Sequence, residues 1–169
     1  HGPSPHIKYV FYVVTENIEV RAGSVVLPLH NPIGVAEDWA VVDNLSNGRV
    51  GLSFASGWHA NDFALAPENF ERRRELMIEG IETIRALWRG ESVPVRSGDG
   101  RTIEVAMFPP PVQQAPRIWI TAGGSPATFE NAGRMGASIL TNLLVMSHED
   151  LVANLAAYYA QGGVKTASQ

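Results

Sequence analysis

The chain contains no cysteine, which excludes disulfide bonds, thiolate nucleophiles and cysteine metal ligands. It also has no HExxH motif and no paired-carboxylate cluster with metal-ligand spacing, so we expect no metal site. No apolar run approaches the roughly 18 residues that a membrane-spanning helix needs. We therefore predict no membrane partner and a cytoplasmic location.

The chain also has few charged residues of either sign. Charged residues make up 18% of the 169 residues, and the formal net charge is −4. This mild acidic balance provides no electrostatic footprint for nucleic acid. With 45% hydrophobic residues, the composition is typical of a soluble globular enzyme.

What the sequence does have is a regular alternation of strand-like and helix-like segments. Short β-branched or apolar runs are each followed by a segment with helical spacing of apolar residues, a pattern that indicates βα repetition and a parallel sheet. The predicted strands are 18–28, 50–55, 117–122 and 137–141, and the predicted helices are 32–45, 68–88, 125–135 and 148–160.

Residues 91–116 interrupt this alternation. A turn at 97–100, Ser-Gly-Asp-Gly, separates two short strand-like pieces, and three consecutive prolines at 109–111 forbid a helix. We therefore predict a hairpin excursion between two βα units.

Between residues 24 and 63, several linked motifs follow one another at a set spacing: Val26-Leu27-Pro28, Pro32, Ala36-Glu37, Asp43-Asn44-Leu45-Ser46, Gly48-Arg49, Gly57 and Phe63. Through these residues the stretch resembles the luciferase-like, flavin-dependent monooxygenases, a family of (β/α)8 barrels. The segments RAGSVVLPLH and FASGWHANDFALAPENF are most similar to the natural-product subgroup of that family, which belongs to polyketide and nonribosomal peptide assembly lines.

Length limits what the resemblance implies. A (β/α)8 barrel usually needs about 250 residues, whereas this chain has 169. We therefore expect residues 1–169 to form a single partial barrel, TIM-barrel-like, with about the third to sixth strand units, either as a fragment or as a truncated member. A tag remnant is an alternative origin for the first three residues.

The loop after the strand at 117–122 is the first candidate site. Gly123 and Gly124 follow the strand, and Ser125 precedes a helix, so backbone N–H groups would point at the strand's carboxyl end. From the residues alone, this is either a phosphate-binding loop or only a tight turn with Ser125 as helix cap. The resemblance implies the first, because luciferase-like enzymes hold the flavin phosphate partly in this loop, and Thr128 is a second hydroxyl within reach.

The loop after the strand at 50–55 is the second candidate. Ser56 and Gly57 would lie on the phosphate side, and some relatives have an arginine in place of Ser56. Either Ser56 donates a hydrogen bond there, or a basic residue outside this chain compensates. Trp58 would contact the flavin or the substrate, or else cover the core. His59 is a substrate-contact candidate, with loop capping as its alternative.

Gly23 and Ser24 correspond to the small-residue pair at which relatives let the isoalloxazine approach the backbone closely. A bend in the strand is the alternative. His1 is the candidate for the histidine that acts near the flavin in several relatives. His30 lies in a loop next to the site candidates, as an acid, base or substrate ligand or as a loop cap.

The resemblance implies monooxygenation of an organic, natural-product intermediate by reduced FMN and O2. The partners it implies are a flavin reductase that supplies reduced FMN, a carrier protein that holds the substrate, and a second copy of the chain in a homodimer. Two alternatives stay open. One is a truncated, non-catalytic flavin-binding or dimerisation module, and the other is a deazaflavin-dependent oxidoreductase on the same fold.

Overall fold

A computed structural model describes residues 15–164 of the chain. Its strands are β1 (Val20–Arg21), β2 (Val25–Val26), β3 (Val50–Ala55), β4 (Val93–Arg96), β5 (Thr102–Val105), β6 (Arg117–Ala122) and β7 (Ser138–Thr141). Its α-helices are α1 (Pro32–Ser46), α2 (Arg73–Trp88), α3 (Pro126–Arg134) and α4 (His148–Ala160). Three short 3-10 turns cover Leu27–Leu29, Ala60–Leu65 and Pro67–Asn69.

The main sheet is parallel and follows chain order. β1 and β2 both pair with β3, β3 pairs with β6, and β6 pairs with β7. Helices connect these strand positions, as parallel pairing requires. The predicted α/β fold is confirmed: the sheet forms a half-barrel with four consecutive strand positions.

The excursion between α2 and β6 is built around a hairpin. β4 and β5 pair antiparallel, with Val93 opposite Val105 and Arg96 opposite Thr102, and they form a separate two-stranded sheet. The hairpin lies within the segment in which the sequence predicts it.

The prediction of one continuous strand at 18–28 is wrong. β1 and β2 are separated by three residues, and their registers against β3 differ: Val20 lies opposite Val50, whereas Val25 lies opposite Phe54. The difference in residue number between paired residues falls from 30 at β1 to 29 at β2. The first strand position therefore carries one extra residue relative to β3. Such a bulge redirects side chains, and it occurs often beside active sites. The bulge includes Ser24, whose φ is +84°.

The prediction of one helix over 68–88 is also only partly right. The chain first makes the 3-10 turn Pro67–Asn69, and α2 begins at Arg73. The carbonyl oxygen of Phe70 accepts a hydrogen bond of 2.7 Å from the Arg73 guanidinium, which also lies 4.3 Å from the Phe70 ring centre. These contacts stabilise the turn that precedes α2. The other predicted helices are confirmed to within about a turn.

The core lies between the sheet and the helices. Leu52 and Phe54 of β3 and Ile120 of β6 are almost fully buried, as are Ile81 and Ile84 of α2. Each such side chain contributes about 1.5–3 kcal/mol through loss of water contact. β6 alternates half-buried and buried residues, because one face packs on the helices and the other faces the barrel interior.

A buried carboxylate attaches the chain after the hairpin to α1. Asp43 is fully buried and accepts hydrogen bonds from the backbone N–H groups of Val112 (2.8 Å) and Gln113 (2.9 Å). The Gln113 side-chain amide donates to Asp43 as well (2.6 Å) and to the Val50 carbonyl oxygen (3.0 Å). Asp43 therefore holds residues 112–113, in the segment that leads into β6, against α1.

Among residues 15–164, no helix has the length and apolar character needed to cross a membrane. Within the same residues, no group of three or more His, Asp or Glu side chains is arranged to hold a metal ion.

Candidate active site

The two candidate loops lie at the same edge of the sheet. β3 and β6 are neighbouring parallel strands, so Ser56, after β3, and residues 123–125, after β6, both extend beyond the carboxyl ends. In α/β folds this edge is where ligands bind.

A small cleft opens at this edge between α2 and α3. Its hydroxyl-bearing lining residues are Ser56, Ser125 and Thr128, so the structure brings together three residues that the sequence predicts at the site. The cleft volume is about 30 Å³. A single water needs about 10–15 Å³, so the cleft has room for a small polar group such as a phosphate. The remaining lining residues are Arg74, Met77, Ile78, Ile120, Ala127, Asn131 and Met135.

Ser125 occupies the N-cap position of α3, but its side chain does not cap the helix. Its backbone is extended (φ −72°, ψ 118°), and its hydroxyl makes no capping hydrogen bond. The Thr128 N–H instead bonds the Ser125 carbonyl oxygen (2.9 Å). Pro126 takes the first helical position, as expected for a residue without an N–H. Ser125 therefore lines the cleft with a hydroxyl that does not cap the helix, next to the positive end of the helix dipole.

Arg74, in the first turn of α2, lines the same cleft. It is exposed, and its guanidinium makes no hydrogen bond or ion pair with any other residue that the structure describes. Its neighbour Arg72, by contrast, pairs with Glu75 (3.0 Å) and Glu79 (3.2 Å). Arg74 is also the one charged side chain among the described lining residues, so the cleft has a net positive character.

The glycines of the loops allow the chain to turn tightly. Gly124 has φ +118°, and its carbonyl oxygen accepts a hydrogen bond from the Asn154 side chain (3.3 Å). Gly123 is exposed beside Val145. Asn154 is buried in α4, so this helix supports the loop from behind.

Gly57 is required at its position for two reasons. Its φ is +78°, and a Cβ atom there would lie 2.8 Å from the Phe63 ring and 2.9 Å from Val26 Cγ1. We expect Gly57→Ala to lower the free energy of unfolding by about 2 kcal/mol because of backbone strain and this overlap. Urea denaturation followed by circular dichroism measures the change.

Gly98→Ala is the matched control, because Gly98 also lies in a loop but has no positive φ, and no atom lies within 4 Å of the position that its Cβ would take. A loss of stability as large in Gly98→Ala as in Gly57→Ala would contradict the role assigned to Gly57.

Trp58 and His59 point away from the core. Trp58 is 83% exposed, so it does not cover the core of the described residues, and its ring packs edge-to-face on His59 with 5.3 Å between ring centres. His59 Nδ1 accepts a hydrogen bond from the Asn61 backbone N–H (3.3 Å) and so caps a 3-10 turn. Neither residue lines the cleft, and both extend from the rim of the sheet's carboxyl edge.

A second polar cluster lies on the barrel-interior face. Ser24 Oγ lies 2.5 Å from Thr121 Oγ1, Ser53 Oγ lies 3.0 Å from Thr121 Oγ1, and the two serine oxygens are 3.4 Å apart. Gly23 is exposed beside this cluster, with no atom within 4 Å of a Cβ built on it. In the described part of the chain the Gly23–Ser24 peptide bond is trans.

The remaining histidine candidates lie apart from the cleft. His30 is exposed and lines a separate groove beside α2, together with Leu27 and Glu79. His1 lies outside the described residues.

Sequence reasoning missed Arg74, Ser53 and Thr121. Arg74 belongs to a charged segment that the sequence favours as solvated helix surface. The sequence does contain a signal for the second cluster: Ser53 and Thr121 are hydroxyl residues that each interrupt an otherwise apolar strand. Only the tertiary structure shows that the pairing of β3 with β6 places Ser53 and Thr121 on the same face of the sheet.

The geometry defines a parallel α/β half-barrel with a phosphate-sized, positively charged cleft at its carboxyl edge. A family model described as luciferase-like monooxygenase matches residues 11–167. The chain belongs to this family, which confirms the resemblance inferred from the sequence.

Individual relatives span different chemistries. An F420-dependent glucose-6-phosphate dehydrogenase of Amycolatopsis mediterranei is 34% identical over 111 residues, covering 63% of this chain and 32% of the relative. The oxygenase component of a flavin-dependent trigonelline monooxygenase of Acinetobacter baylyi is 26% identical over 141 residues, covering 81% of this chain and 38% of the relative.

A crystal structure of the monooxygenase RslO1 from Streptomyces bottropensis superimposes with a TM-score of 0.82 at 26% identity. The match covers 97% of this chain and 52% of RslO1. The chain thus spans between a third and about half of the length of these proteins.

Proposed function

We propose that this chain supplies the phosphate-binding half of an FMN-dependent monooxygenase. One observation carries the proposal: Ser56, Ser125 and Thr128 meet Arg74 in one small cleft at the carboxyl edge of the sheet. Hydroxyl donors, a guanidinium and a helix N-terminus are the groups that stabilise a phosphate dianion in proteins.

The residues present fit the phosphate of a flavin mononucleotide. Arg74 would provide, from within the chain, the cation that the position of Ser56 lacks. The Ser125 hydroxyl is not used as a helix cap, which leaves it available to the ligand. The small cleft would receive the phosphate end, and the family resemblance implies that the ring lies beside Gly23 and Ser24 on the barrel-interior face.

A bound reduced flavin would supply the electrons for activation of O2, and the protein would supply binding, orientation and exclusion of water. Arg74 and the hydroxyls fix the phosphate end. The bulge at Gly23–Ser24 sets how closely a ring approaches the backbone. Trp58 and His59, at the exposed rim, are proposed to contact an organic substrate. No residue of the described chain is assigned as a catalytic acid or base.

One further part of the proposal, the reductase partner, rests on a relative. The trigonelline enzyme is named as an oxygenase component, which supports a separate reductase that supplies reduced FMN. A carrier-bound natural-product substrate and a homodimer stay predictions.

A deazaflavin-dependent oxidoreductase is the second candidate, favoured by the relative from Amycolatopsis that is named as F420-dependent. F420 also carries a phosphate group, so the cleft alone fits both cofactors. Relative affinity for the two cofactors decides between them.

The test is a fluorescence titration of the purified chain with FMN, riboflavin and F420. The proposal predicts saturable binding, with FMN bound at least about tenfold more tightly than riboflavin, because riboflavin lacks the phosphate that Arg74 would bind. Tighter binding of F420 than of FMN would favour the deazaflavin enzyme. Binding of FMN without O2-dependent turnover when a reductase is added would favour the non-catalytic module, and no binding of any of the three would overturn the proposal.

A further inference from the structure

Ser24 has a backbone conformation that serine rarely adopts. In the described chain, the two non-glycine residues with positive φ are Ser24 (+84°) and Asn47 (+54°). Asn47 ends α1, where a left-handed residue is common and asparagine tolerates it well. Ser24 is not at a helix end. Its conformation must therefore be held by contacts elsewhere in the structure.

One such contact comes from a strand that is not its neighbour. Ser24 belongs to the first strand position, which pairs with β3, yet its hydroxyl reaches Thr121 of β6 on the far side of β3. Ser53 of β3 lies between them and is within hydrogen-bond distance of Thr121. The three hydroxyls thus link three adjacent strand positions across the barrel-interior face.

Thr121 is the centre of this cluster. Its Oγ1 makes the two shorter contacts, at 2.5 Å to Ser24 and 3.0 Å to Ser53, whereas the two serine oxygens are 3.4 Å apart. Removing the Thr121 hydroxyl would leave Ser24 with one long contact in place of a short one. The left-handed backbone at Ser24 would then lose this side-chain restraint.

We propose that Thr121 is a positioning residue that acts through Ser24: its hydroxyl holds the bulge at Gly23–Ser24 in the shape that receives the ring of the cofactor. This inference rests on the proposed function, because it names the support for the ring-binding part of that site. It is independent of the phosphate cleft, since neither Ser24 nor Thr121 lines that cleft.

Three variants test the proposal. Thr121→Val removes the hydroxyl and keeps the shape of the side chain, and Thr121→Ser keeps the hydroxyl. Ser24→Gly removes the other partner but adopts a positive φ without help. Affinities for riboflavin and FMN are measured by fluorescence titration, together with the visible absorption spectrum of the bound flavin.

If Thr121 positions the ring through Ser24, the variants should differ in flavin affinity as follows. Thr121→Val weakens binding of riboflavin and FMN equally, by about tenfold, and shifts the absorption spectrum of the bound ring. Thr121→Ser restores the affinity to within about twofold of the unmodified chain. In the Ser24→Gly background, Thr121→Val has no further effect, because glycine no longer needs the Thr121 hydroxyl.

Three results would overturn the assignment. One is unchanged riboflavin affinity in Thr121→Val. Another is a loss that Thr121→Ser does not restore. The last is an equal loss with and without Ser24→Gly, which would make Thr121 a direct contact. Urea denaturation shows whether each variant is folded, and if Thr121→Val does not fold, Ser24→Ala tests the same contact. Failure of the unmodified chain to bind riboflavin and FMN would overturn the proposed function, and this inference with it.

Discussion

Replacing Arg74 with glutamine is expected to weaken FMN binding by about 10- to 100-fold and to leave riboflavin binding unchanged. A hydrogen bond to a charged group contributes about 1.5–3 kcal/mol, which corresponds to this range of affinity. Arg74 lines the cleft with three hydroxyl side chains and has no other partner among the described residues. Fluorescence titration with both flavins gives the two affinities.

Arg72→Gln is the matched control for Arg74→Gln. Arg72 lies two residues earlier and carries the same charge, but it pairs with Glu75 and Glu79 and does not line the cleft. We expect Arg72→Gln to change FMN affinity by less than about twofold, since exposed ion pairs contribute little. An equal loss in both variants would show that FMN responds to overall charge and not to a bound guanidinium.

Comparison with the Thr121 variants separates the two ends of the proposed site. Arg74→Gln should affect FMN alone, whereas Thr121→Val should affect FMN and riboflavin alike. If Arg74→Gln weakens riboflavin as well, Arg74 acts on the fold of the loops and not on the phosphate.

Replacing Asp43 with asparagine is expected to lower the free energy of unfolding by about 3 kcal/mol. Three N–H donors from Val112 and Gln113 converge on this fully buried carboxylate. Asparagine keeps the side-chain size, but it removes the charge and turns one acceptor into a donor that faces other donors. Urea denaturation followed by tryptophan fluorescence measures the change.

Asp38→Asn is the control for Asp43→Asn, because Asp38 lies on the same helix but is exposed. We expect its effect to stay within about 0.5 kcal/mol. The folded Asp43→Asn protein should also keep the FMN-to-riboflavin preference of the unmodified chain, because Asp43 lies outside the cleft. A change in stability as small as that of Asp38→Asn would refute the anchoring role of Asp43.

Local sequence patterns were sufficient for most of the fold. Pro32 at the first turn of α1, the cap formed by Ser147 and Asp150 at the start of α4, and the short apolar run of β3 are encoded within a few residues. The predictions failed at 18–28 and at 68–72. A bulge depends on the register against a neighbouring strand, and a 3-10 turn depends on what packs beside it, so neither has a reliable local signature.

The candidate site divides in the same way. Ser56, Ser125 and Thr128 could be named from the sequence because each follows a strand or begins a helix, and parallel strands bring their carboxyl ends together. Arg74 could not, because a charged residue in a helical segment is most simply solvated. It joins the cleft only because α2 and α3 both border the cleft at this edge of the sheet.

The sequence by itself therefore determined the α/β class, the parallel sheet implied by βα alternation, the family and the loops that carry the hydroxyls. These follow from composition, period and short motifs, which act over a few residues. Only the tertiary structure decided that Arg74 completes the cleft and that Ser24, Ser53 and Thr121 meet across three strand positions. Both depend on contacts between residues far apart in the chain, Ser24 and Thr121 by 97 positions, and no local pattern encodes such a distance.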